Sequence, residues 1–122
     1  MAKEHPFDVA LENRLMGKGI YLTRWEQEGD VVDCTYETVT EVPAVTSHEV
    51  GVVVRTVLEV ADEREPWTPI TLEATSTTTD GTVNGEWRVE ADWFRRLYDD
   101  LSELEFSELV LSSVENRSAR EQ

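Results

Sequence analysis

The chain holds 122 residues, 39% of them apolar, with 26 acidic against 11 basic side chains and a formal net charge of −15. That apolar content suffices for one core that hides somewhat over ~60% of the unfolded surface, so a single domain is expected and a disordered acidic tail is not. The lone Cys34 excludes an intrachain disulfide framework, and no apolar run reaches the ~20 residues that span a bilayer, so no membrane partner is expected.

The opening stretch MAKEHPFDVA lacks the apolar centre of a signal peptide, which makes a cytoplasmic location the expectation. Phe7, Ala10, Leu11 and Leu15 recur at helical spacing, with Pro6 suited to a first turn and Gly17 to a stop, and predict a short N-terminal helix. Ile20 to Glu26 and Val31 to Val39 read as two strands, the second alternating Val32, Cys34 and Tyr36 against Asp33 and Glu37, and Glu28-Gly29-Asp30 joins them as a hairpin. A loop through Pro43 follows. Glu49 to Val60 then reads as the longest strand, with Val50, Val52, Val54, Leu58 and Val60 on one period-2 face and a central place in the sheet.

The proline-punctuated loop around Trp67 leads to a strand near Ile70 to Thr78, a turn at Asp80-Gly81, and a short strand from Gly85 to Val89 that carries Trp87. Asp92 is placed to cap a helix whose stripe is Trp93, Phe94, Leu97, Tyr98, Leu101 and Leu104. Leu109 to Val114 can be a final strand or a helical continuation, and its short apolar core favours the strand. The expected fold class is α+β: a mostly antiparallel sheet of four to six strands, with the N-terminal helix and a longer C-terminal helix packed on one face. Residues 1–115 form the single domain and 116–122 a polar, frayed tail.

Chemical motifs are sparse. No phosphate-cradling glycine loop, nucleophile elbow or zincin helix occurs, and His5, Cys34 and His48 are too scattered to form a metal site by motif. No catalytic residue, cofactor or metal is therefore expected. Cys34, alternating with Val32 and Tyr36, reads as a small buried hydrophobe, because neither Asp33 nor Glu37 supplies the cation that would activate a thiol. Carboxylate pairs such as Glu63/Glu65, Asp99/Asp100 and Glu103/Glu105 are too frequent in this chain to signal acid–base catalysis.

The acids run from Glu4 to Glu121 while the only lysines are Lys3 and Lys18. This composition resembles that of cytosolic proteins from salt-in halophilic archaea, where molar salt shortens the Debye length to about 3 Å and makes such a surface tolerable. Direct nucleic-acid binding is opposed by charge, since the adjacent pair Arg95 and Arg96 sits among Asp92, Asp99 and Asp100. Trp25 and Trp67 are the candidate interface anchors of a non-catalytic interaction module that pairs with itself, or with another protein, across an open sheet face or edge. The alternative is a small apolar-ligand binder whose pocket is lined by Val54, Trp87, Phe94 and Tyr98. An enzyme using dispersed carboxylates or His48 ranks behind both.

Overall fold

The computed structural model describes residues 6–39, 44–64 and 66–116. Pro6 and Gly17 bracket helix α1 (Phe7–Met16), which buries Leu11 and Leu15 as its spacing predicts. Strands β1 (Ile20–Glu28) and β2 (Val31–Thr38) pair antiparallel across the two-residue turn Gly29-Asp30. Gly29 has φ +61° there, a conformation that a glycine adopts without a Cβ penalty.

Glu49 to Val60 is not a strand. It lies inside helix α2 (Ser47–Asp62), the longest element of the chain. The physical reason is twofold. Thr46 and Glu49 form a reciprocal capping box, Thr46 Oγ1 accepting from the Glu49 backbone and Glu49 accepting from the Thr46 backbone, which satisfies donors that a helix start otherwise leaves unpaired. The valines are also so dense that they satisfy both periods: Val50, Val53, Val54, Val57, Val60 and Ala61 make a buried helical stripe. A 16-residue run favours the helix on length alone, since strands average about 5–6 residues.

Helix α2 is also the crossover that lets β2 pair parallel with β3 (Thr71–Thr77), a connection that no hairpin can make. Strand β4 (Val83–Val89) returns antiparallel, and the two-residue β5 (Glu115–Asn116) completes a five-stranded sheet of order β1-β2-β3-β4-β5. The expected α+β class and mostly antiparallel sheet are thus present, with one parallel pair. Gly85 is required by close approach: a Cβ there would lie 2.5 Å from the Glu115 carbonyl oxygen and 2.9 Å from Val45 Cγ2.

The C-terminal stripe is split. Helix α3 (Ala91–Arg96) starts from Glu90, not Asp92, and ends at Leu97, after which Tyr98 has φ +71°. Helix α4 (Glu103–Ser112) begins again at Ser102 with a second capping box, Ser102 with Glu105. Leu109 to Leu111 therefore belongs to a helix, and the strand expected there is replaced by Glu115 and Asn116. Asn116 lies in β5 and accepts a hydrogen bond from the Val45 backbone at 2.8 Å; the rest of the expected tail, 117–122, lies outside the described residues.

The sheet has unlike faces. On the inner one the cross-strand row Trp25, Cys34, Ala74, Trp87 has tryptophans at both ends of two small residues, and Val32, Leu72 and Val89 form the next row. These pack against Leu11, Leu15, Val53, Val57, Phe106 and Val110 from the helices. On the outer face the rows read Arg24, Thr35, Thr75, Glu86 and Glu26, Asp33, Glu73, Arg88, which is a polar surface. No described helix is long and apolar enough to cross a membrane.

Candidate functional site

Two features stand out above the inner face. The first is a buried polar network at the start of α2. The capping box aims Glu49 inward, where it is 3% exposed, over the row Tyr36, Ser76, Gly85. Tyr36 Oη donates to Glu49 Oε2 at 2.7 Å and Ser76 Oγ donates to the same oxygen at 2.5 Å, while Glu49 Oε1 accepts from the Thr46 backbone at 3.0 Å. Trp87 Nε1 in turn donates to Tyr36 Oη at 2.8 Å, and Asn84 Nδ2 to Ser76 Oγ at 3.1 Å. Two donor chains thus converge on one carboxylate, as a charge withdrawn from water requires. Burial and then the neighbouring Glu49 push the Tyr36 phenol well above its ordinary range. Asn84 Oδ1 has no partner among the described residues.

The second feature is a groove of about 950 Å³ between α2 and the α3–α4 segment. Its floor is hydrocarbon: Val50, Val54, Phe94, Leu97, Phe106 and Val110, all buried. Leu58 and Trp67 form part of one side, and Tyr98 and Leu111 stand at the rim, 73% and 40% exposed. The chain places Tyr98 there at a backbone cost, because a bulky residue at φ +71° is strained. Its backbone N–H bonds the Leu101 carbonyl at 3.1 Å and its hydroxyl donates to Glu103 at 2.8 Å, a bond that raises the phenol above its ordinary value.

Arg55 also lines the groove, with its guanidinium folded back over Gly51, where a Cβ would lie 3.4 Å from one of its nitrogens. Arg14, Lys18, Arg24, Arg88, Arg95 and Arg96 each have a carboxylate within salt-bridge distance, and Arg64 also has a partner. Among the described residues Arg55 is the cation without one.

The residues singled out from the sequence are distributed as follows. Val54, Phe94 and Tyr98 line the groove together. Trp87 does not; it sits 2% exposed in the sheet, inside the Glu49 network. Trp25 and Trp67 are both half-buried and both stack on Phe7, at 5.7 and 6.0 Å between ring centres, so they belong to the helix-covered side and not to the open sheet face. Trp67 continues edge-on to Phe94 at 5.4 Å and is the one of the two that lines the groove. Cys34 is buried, and burial, then the charge of Asp33, pushes its thiol up to about 12. His48 is exposed on the first turn of α2. No group of three metal-ligating side chains occurs among the described residues. Arg55, Glu49 and Ser76 escaped sequence reasoning. The spacing Thr46-x-x-Glu49 ahead of an apolar run was the one signal able to reveal the helix that carries two of them.

A family model described as a domain of unknown function, DUF8159, matches residues 1–120. No curated protein and no solved structure is significantly similar to the chain.

Proposed function

The chain belongs to the DUF8159 family, and we propose that it serves as a non-catalytic interaction module that holds an apolar helical segment of a protein partner in the groove between α2 and α4. The observation that carries this reading is the groove itself: a hydrocarbon floor, left open to solvent, with Tyr98, Leu104 and Leu111 as exposed large apolar side chains on the α3–α4 segment beside it. Contiguous exposed apolar surface costs solubility unless something covers it, and amphipathic helices dock into grooves of this kind through residues at i, i+3 or i+4, and i+7. The site is thereby moved from the open sheet face, which is charged and polar, to the helical layer. The net charge of −15 and the scarcity of lysine support a halophilic, archaeal-type cytosol as the setting.

Nile red, an uncharged dye that brightens in apolar surroundings, tests the groove. It is expected to bind with energy transfer from Trp67, and to bind at least about tenfold more weakly to Leu58→Glu, whose side chain lines the groove. Dye binding that ignores Leu58→Glu would show that the groove is not the binding surface. A second reading has one observation in its favour: about 950 Å³ also falls within the range of small-ligand sites. A small molecule retained by the purified protein in native mass spectra would move the conclusion to a ligand binder.

A further inference from the structure

The outer side of α4 resembles what the groove is shaped to accept. Leu104, Glu108 and Leu111 stand at i, i+4 and i+7, all exposed, with Leu104 at 69%. Glu103 and Glu105 on the same helix are engaged by Tyr98 and Ser102, whereas among the described residues no ion pair or hydrogen bond holds Glu108. One face of α4 thus carries two leucines flanking a free carboxylate. The adjoining groove has an apolar floor and, in Arg55, the described cation without a carboxylate. Leu111 belongs to both surfaces, so ridge and groove adjoin on one patch, which is the self-complementary arrangement that a two-fold interface needs.

Resting on the groove as the interaction site, we infer that its occupant is a second copy of this chain: α4 of each copy lies in the α2–α4 groove of the other, with the partner's Glu108 against Arg55. Leucines 104 and 111 then leave water in both copies, and two symmetric charge pairs form at the edge of an apolar contact. Of the acids that line the groove, Glu59 is paired with Arg14 and Lys18 and Glu103 accepts from Tyr98, while Asp62 keeps its charge and leaves Arg55 as the place where the partner's Glu108 is received. A pair flanked by hydrocarbon is screened by salt less than one in open solvent, so it can contribute where salt is high.

Charge reversal with rescue is the test, read by light scattering coupled to size exclusion in the lowest potassium chloride at which the protein is folded. Wild type is expected to run as a dimer. Arg55→Glu and Glu108→Arg are each expected to weaken the dimer at least about tenfold, and the double variant to recover most of that loss. Both positions are exposed, so far-ultraviolet circular dichroism of the variants should match wild type. Nile red binding should rise on dilution as dimers separate and free the groove. A protein monomeric at every concentration that still binds the dye overturns the second-copy inference and leaves the groove reading standing. A dimer indifferent to the single reversals, or folded single variants not rescued by the double, also overturns it. Absence of both dimer and dye binding removes both readings.

Discussion

At Glu49 a carboxylate is held away from water by its own helix cap and by Tyr36 and Ser76, so its contribution is asymmetric. Replacing a buried acceptor strands its donors, and a buried polar group left without a partner costs roughly 1–3 kcal/mol. Glu49→Ala is accordingly expected to lose about that much in urea melts, and Glu49→Gln less, because glutamine keeps the volume and one acceptor oxygen. A loss under about 1 kcal/mol in the alanine variant would mean that water replaces the carboxylate. The two donor chains also explain why Trp87, which sequence reading put in a ligand pocket, is committed elsewhere: its indole N–H is consumed by Tyr36.

At the scale of elements, the break between α3 and α4 matters most. A continuous helix from Asp92 through Leu104 would satisfy the apolar stripe, yet the chain turns at Tyr98 in the left-handed region and restarts with the Ser102–Glu105 box. Strain of this kind costs about 1–2 kcal/mol for an L-residue and nothing comparable for glycine. Since the Tyr98 ring is mostly solvated, Tyr98→Gly is expected to match wild type or to gain up to about 1 kcal/mol in thermal melts, while weakening whatever the groove binds. Clear destabilisation would instead make Tyr98 a packing residue. The corresponding lesson for α2 concerns valine. Its β-branched side chains favour strands locally, but a strand has no use for the Thr46–Glu49 cap, and the parallel β2–β3 pair needs a crossover that only this segment can supply.

For the whole molecule, charge dominates. At 0.1 M salt the Debye length is about 10 Å, so a compact chain of net charge −15 repels itself; at 1 M it is about 3 Å and the repulsion is largely screened. The melting temperature is expected to climb steeply with potassium chloride between these limits. A flat response would oppose the halophilic reading without touching the groove. Salt should act on folding through this diffuse repulsion, because the ion pairs described are mostly exposed and contribute little each.

The sequence by itself determined the charge, the fold class, the first helix, the β1–β2 hairpin and the strands around Ala74 and Trp87, because each rests on local turn chemistry or on an alternation that only one period satisfies. It placed Val54, Phe94 and Tyr98 near one another only by supposing a sheet beneath a helix, with Val54 on the wrong kind of element. Only the tertiary structure decided that α2 is a helix, that the C-terminal stripe divides, that Trp25 and Trp67 meet through Phe7, and that Arg55 stands without a carboxylate among the described residues. The physical reason is shared: a valine-dense run fits both periods, and a buried network or an unpaired charge is a property of residues far apart in the chain, which no local pattern records.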